Sequence, residues 1–315
     1  MSLSDLSEKS PTGELKAVKS ITNWRDLFMM IVVLFKMRIV FLLLMAATGG
    51  AFLAAGGWPG LGKMALIWLT GGMAASGASS LNQYLERKSD GNMGRTKKRP
   101  LVNGDIPNPN WVPWVGIALI ILPSAAVFPT NPALAFFLLL GAFIYVVIYT
   151  IWLKPRTLLN IVIGGAAGSA AVLSGSAAVG HWNDPGALVL ALILFLWTPF
   201  HFWSLALLYR DDYSRADVPM LPTKTTPHQA AWWVMSHTIP AGLAGLLLVI
   251  LPSLGWVYFA PMLLVTADLF WRNVKLIKDP SPPHARSLFM ASNIYLTVLL
   301  LIIFIDSVQP FLKGV

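Results

Sequence analysis

ALAFFLLLGAFIYVVIYTIWL, residues 133–153, holds no charged side chain in twenty-one positions and ends on Lys154-Pro155-Arg156. As an α-helix it would be about 31 Å long, the thickness of a bilayer's hydrocarbon core. In lipid such a run must satisfy its own backbone hydrogen bonds, so the pattern predicts a membrane-crossing helix. Eight more apolar stretches of similar length flank it, at 39–56, 63–83, 110–128, 158–179, 187–208, 229–250, 254–273 and 288–308. Short punctuation such as Gly57-Trp58-Pro59-Gly60 and Pro129-Thr130-Asn131-Pro132 joins neighbours into hairpins. Over all 315 residues 12% are charged, roughly half the share of a soluble domain. The expected fold is an all-α polytopic membrane protein, a bundle of nine transmembrane helices.

Charge predicts the orientation. With the N-terminus in the cytoplasm, 21 of the 23 Lys and Arg residues fall on inner segments, leaving only Lys63 and Lys313 outside. This is a positive-inside signal, and it accounts for the net charge of +9 through topology and contact with anionic lipid, with no nucleic acid needed. Residues 1–25 are expected to be a polar cytoplasmic tail, and 26–315 one membrane domain. The chain has no cysteine, which excludes disulfides, thiolate metal sites and thioether-linked haem.

The long polar connections, 84–109, 209–228 and 274–287, all fall on the inner side. Two of them begin with acids. Asn82, Glu86 and Asp90 recur at i, i+4 and i+8, so on a continuous helix they share one face. An amide and two carboxylates on one stripe suit a hard cation that also takes phosphate oxygens and water. The same spacing also fits a solvated helix end held by ion pairs to Arg87 and Lys88. The second segment, Tyr209 to Asp217, carries Asp211 and Asp212 among alternating charges and continues into the proline-pinned Val218-Pro219-Met220-Leu221-Pro222. Arg95 and Arg99 follow the first stripe in a compact turn, and guanidinium groups grip phosphate with paired hydrogen bonds. Lys154 and Arg156 sit in a four-residue inner loop, as phosphate ligands or as topology markers. His201 lies on an apolar helix, where lipid offers it no partner.

Together these residues carry a resemblance. Asn82-x-x-x-Glu86-x-x-x-Asp90-x-x-Met93-x-Arg95-Thr96-x-x-Arg99-Pro100-Leu101, then Tyr149-Thr150-x-x-Leu153-Lys154-Pro155-Arg156-Thr157, then Asp211-Asp212-Tyr213-x-x-Ala216-x-x-Pro219-Met220-Leu221-Pro222, resembles the protoheme IX farnesyltransferase branch of the UbiA superfamily of intramembrane prenyltransferases. Quinone-prenylating relatives usually carry Asn-Asp-x-x-Asp in the first motif; Gln83 and Glu86 match the haem branch instead. Asp217 departs from that branch, which more often has glycine there. The resemblance implies farnesyl diphosphate and haem b as substrates, haem O as product, and Mg²⁺ as cofactor on Glu86, Asp90 and Asp212. It implies catalytic roles for Asn82, Glu86, Asp90, Asp211 and Asp212, and diphosphate contacts from Arg95, Arg99, Lys154 and Arg156. His201 becomes the candidate for haem, as an iron ligand or a propionate partner. A bacterial inner membrane follows, with the site on the cytoplasmic side and a haem A synthase or terminal oxidase assembly factors downstream. The alternatives are a quinone or chlorin acceptor, an ion-coupled transporter and a haem chaperone. A transporter would place its acids at broken helices near mid-membrane, and a chaperone would need no pair of acidic motifs.

Overall fold

Proline and a capping side chain open helix after helix along the chain. Pro132, Pro185 and Pro227 occupy first helical positions, where the missing N–H is not needed. Asn131 accepts from Leu134 N, Asp184 from Ala187 N, and Thr226 forms a capping box with Gln229. The computed structural model describes residues 23–94, 96–215 and 219–312, and every regular element among them is helical. Ten helices carry the architecture: α1 Trp24–Leu34, α2 Met37–Ala55, α3 Leu61–Asp90, α4 Pro109–Val127, α5 Pro132–Leu153, α6 Asn160–Ala178, α7 Pro185–Leu208, α8 Pro227–Ile250, α9 Trp256–Lys278 and α10 Pro282–Leu312.

Among the described residues eight helices, α2 to α8 and α10, are long and apolar enough to cross a membrane. The expected stretch at 254–273 forms α9, but Asp268, Arg272, Lys275 and Lys278 crowd its C-terminal half, and it is not among the eight. Helix α1 begins at Trp24, inside the segment expected to be a tail; residues 1–22 of that tail lie outside the described residues.

Two packed groups share α2 and α6. One core joins α2 to α6 through Ala47, Ile67, Phe137 and Leu138. The larger core joins α7 to α10 against α2 and α6, around Phe200, Trp203, Tyr258 and Tyr295. Small residues let α2 and α6 touch backbone to backbone. A Cβ at Gly50 would lie 2.2 Å from the Val172 carbonyl oxygen, and one at Gly175 would lie 1.7 Å from that of Ala47.

Two features set up the rim at which α3, α5 and α7 end. Helix α3 has 30 residues, about 45 Å, so its last turns overshoot the hydrocarbon and carry Glu86 and Asp90 to the membrane border. The second half of α5, Ile144–Leu153, is wound as a π-helix. Lys154 N donates to Tyr149 O (2.8 Å) and Thr150 Oγ1 to Tyr145 O (2.7 Å), each spanning five residues. Such windings are rare and often mark functional sites. Here it stacks the Tyr145 and Tyr149 rings at 5.9 Å.

Candidate active site

The stripe expected on α3 is continuous and buried: Asn82 is 1% exposed, Asp90 5% and Glu86 9%. Its partners come from elsewhere in the chain. Lys154 Nζ, at the end of α5, pairs with Glu86 Oε1 at 2.5 Å. Arg99 pairs with Asp90, because the turn after α3 folds back and Thr96 Oγ1 donates to Asp90 O at 2.8 Å. Asn82 Nδ2 donates to Thr150 Oγ1 at 2.9 Å. The solvated-end alternative does not hold for Arg87 and Lys88. Arg87 donates to Tyr84 O and stacks on the Tyr84 ring, and Lys88 is exposed.

A residue that the sequence did not single out completes this cluster. Lys36 stands at the joint between α1 and α2, and its Nζ donates to Asn82 Oδ1 and to the Tyr145 hydroxyl (3.1 Å). Burial pushes its ammonium down to about 7, with Arg99 acting the same way and Glu86 against it. In the sequence Lys36 is one of several cations near the first span, where topology alone explains it. Tyr145 was hidden likewise in an apolar run, and Thr150 stood in the quoted signature with no role assigned to it.

The second acidic segment reaches the same place. Asp212, on the short helix Arg210–Arg215, is half-buried and pairs with Arg215 at 2.6 Å. It lies beside the turn after α3: a Cβ at Gly94 would be 3.6 Å from Asp212 Oδ2. Beneath it Met93 of the first loop packs with Tyr213 and Met220 of the second, against Ile161, Ala206 and Phe202. Asn160 Nδ2 donates to Pro219 O (2.9 Å), tying the second loop to α6. Asp211 is exposed. Arg156 is exposed too and donates to the carbonyl oxygens of Ile151 and Trp152, closing the end of α5. Arg95 and Asp217 lie outside the described residues.

His201 sits deeper, about two turns from the end of α7, stacked on Trp197 at 4.1 Å and beside Phe289. Its Nδ1 meets Ser292 Oγ on α10 at 2.8 Å. Ser292 gives its own hydrogen to Phe289 O (2.7 Å), so its oxygen accepts from His201 Nδ1 and the Nε2 lone pair is left over. The remaining buried acid among the described residues, Asp306, caps α9 through Gly255 N and Tyr258 N. Among the described residues no three His, Asp or Glu side chains gather closely enough to hold a metal ion by themselves.

The arrangement is therefore three buried or half-buried cations, Lys36, Arg99 and Lys154, interleaved with carboxylates at one end of a membrane bundle. The UbiA prenyltransferase family model matches residues 42–297, from α2 into α10. This chain belongs to the UbiA prenyltransferase family. Among UbiA relatives it is 39% identical over 271 residues to the protoheme IX farnesyltransferase of Metallosphaera sedula, covering 85% of this chain and 92% of that one. It is 38% identical over 282 residues to protoheme IX farnesyltransferase 2 of Paramagnetospirillum magneticum, covering 89% and 96%. Solved UbiA-type structures share the fold. A digeranylgeranylglyceryl phosphate synthase superposes with a TM-score of 0.74 at 16% identity, over 90% of this chain and 99% of that one. A UbiA homologue from Archaeoglobus fulgidus, bound to DMAPP and Mg²⁺, gives 0.60 at 17% identity, over 87% and 98%. The chain is a multi-span membrane prenyltransferase.

Proposed function

We propose that this protein transfers the farnesyl group of farnesyl diphosphate to a vinyl carbon of haem b, with addition of water, giving haem O and diphosphate. The observation that carries the diphosphate half is the convergence of Lys36, Arg99 and Lys154 with Glu86, Asp90 and Asp212, from four separate stretches of chain. The names of relatives at 38–39% identity over most of the chain support the haem half.

Glu86, Asp90 and Asp212, with help from Asn82, offer the hard oxygen donors that Mg²⁺ prefers. Diphosphate oxygens and water would complete the shell, and Lys154, Arg99 and Arg215 would exchange their carboxylate partners for phosphate. When bound, Mg²⁺ supplies Lewis-acid stabilisation of the diphosphate charge. The chain's own cations do the rest. As the allylic C–O bond breaks, its electron pair goes to the diphosphate, and Lys36, Arg99 and Lys154 stabilise that growing charge in a poorly solvated place. The farnesyl cation is attacked by the vinyl π electrons of haem b. The resulting porphyrin-side cation takes up water and loses a proton to give the hydroxyethylfarnesyl group. The apolar cluster of Met93, Tyr213, Met220 and Phe202 beneath Asp212 would help keep water from the first cation until the vinyl carbon is in place.

His201, with its Nε2 lone pair unused by Ser292, is the residue we assign to haem. Arg156 and Asp211 take outer positions, toward solvent and incoming diphosphate. Counted over nine crossings, the 21 of 23 Lys and Arg residues on inner segments support a site on the cytoplasmic side; a bacterial inner membrane and passage of the product to terminal oxidase biogenesis belong to the same proposal. The test is chromatography of haems after incubating the purified protein with farnesyl diphosphate, haem b and Mg²⁺. Conversion to a more hydrophobic haem is expected. Unchanged haem b, with prenylation of a quinone precursor instead, would move the chain to another branch.

A further inference from the structure

Gln83 lies on α3 next to Asn82, yet its side chain turns away from the acids. It is 1% exposed, and its Nε2 donates to the carbonyl oxygens of Val33 (2.6 Å) and Leu34 (2.9 Å), the last two residues of α1. Its Oε1 has no partner. A buried amide that uses both hydrogens and leaves its oxygen unpaired is held for its donors. Donating to the final carbonyls of a helix also meets the orphan acceptors found there.

What those carbonyls lead into is the joint that carries Lys36. Lys36 holds φ 51° and ψ 45°, the left-handed region, and is the only non-glycine residue with positive φ among the described residues. A side chain with a Cβ persists in that conformation only where its surroundings over-determine it. Lys36 N donates to Val33 O (3.2 Å), the same oxygen that Gln83 grips, so the amide and the strained residue share one acceptor. The end of α1 is also seated by packing, since Leu34 clusters with Ile106 and Val112, with Met30, Phe35, Tyr84 and Leu101 against them; among these contacts the Gln83 bonds are the ones that address the carbonyls beside Lys36. Leu34 is its one buried residue, and Trp24, Phe28 and Met29 are exposed apolar side chains suited to the membrane interface.

We propose that Gln83 is a positioning residue for the prenyl diphosphate site: by clamping the end of α1 it holds the left-handed joint from which Lys36 reaches between Asn82 and Tyr145. This rests on the reading of that cluster as a diphosphate site. Gln83 touches no reacting atom; its effect passes through Lys36.

The experiment is a double-mutant cycle on the full chain in lipid nanodiscs, using Gln83→Met, Lys36→Met and both together, with farnesyl diphosphate and haem b varied in turn. Each single variant is expected to raise KM for farnesyl diphosphate about tenfold and to leave KM for haem b within about twofold. The double variant should be no more than about twofold worse than Lys36→Met alone, because Gln83 has nothing left to position. Losses that multiply in the double variant would overturn the proposal, as would an unchanged KM in Gln83→Met. So would a rise in both KM values, which would make Gln83 a packing residue. Gln83→Glu, the same shape without the N–H donors, serves where the Met variant does not fold, and the same coupling is expected of it. A wild-type protein that neither binds nor consumes farnesyl diphosphate would remove the underlying reading. Active wild type with multiplying losses would remove this inference alone.

Discussion

The two acidic segments meet at one rim but are built differently. Glu86 and Asp90 ride on the overshooting end of a 30-residue helix, are buried, and pair with Lys154 and Arg99 brought in from elsewhere. Asp212 rides on a six-residue helix, is half-buried, and pairs with Arg215 three residues away, itself largely exposed. The first is part of the bundle and was set when the bundle packed. The second is a loop held down by Met93, Tyr213, Met220 and the Asn160 amide. One side of the site is preorganised, and the other is delivered onto it. That division fits a reaction that must admit a substrate and then shut out water.

The sharpest break in this comparison is Asp90→Ala. It is expected to lower kcat/KM by at least about 10³, with helical circular dichroism unchanged, and to cost about 1–2 kcal/mol in unfolding because Arg99 loses a partly buried partner. Asp212→Ala should lower kcat/KM about 10²- to 10³-fold with no measurable loss of stability, since Arg215 simply returns to solvent. Normal turnover by either variant at low free Mg²⁺ would discard the metal assignment. Removing Mg²⁺ with a chelator should weaken binding of farnesyl diphosphate, followed by calorimetry, at least about tenfold in the wild type and far less in Asp90→Ala. Arg99→Ala is expected to weaken diphosphate binding about tenfold while haem affinity is kept; equal loss of both would make Arg99 structural. The smallest effect belongs to Arg156→Ala, within about twofold in kcat/KM, because that side chain caps α5.

Much of the molecule was legible in order along the chain. The apolar runs gave the spans because a bilayer imposes a length and forbids charge. Only α9 blurs the count, since Asp268, Arg272, Lys275 and Lys278 crowd its C-terminal half. The stripe of Asn82, Glu86 and Asp90 was legible because a helix has a fixed period, and α3 does not break before Asp90. Lys36, Tyr145, Thr150 and Gln83 were not legible. Adjacency to Asn82 does not tell which way Gln83 points, and the contacts that reveal these residues' roles span 46 to 109 residues. Arg156 shows the converse: a cation in the loop of Lys154 whose side chain bonds the end of its own helix.

The sequence alone determined that this chain lives in lipid, roughly where its apolar spans run, and which carboxylates share a face, because hydrophobic length and helical period are local properties. Only the tertiary structure decided which cations stand among those carboxylates, that the two acidic loops close on one another, and that α1 is tied down beside them. Those choices depend on side chains from distant helices entering one poorly solvated space, where every charge must find a partner.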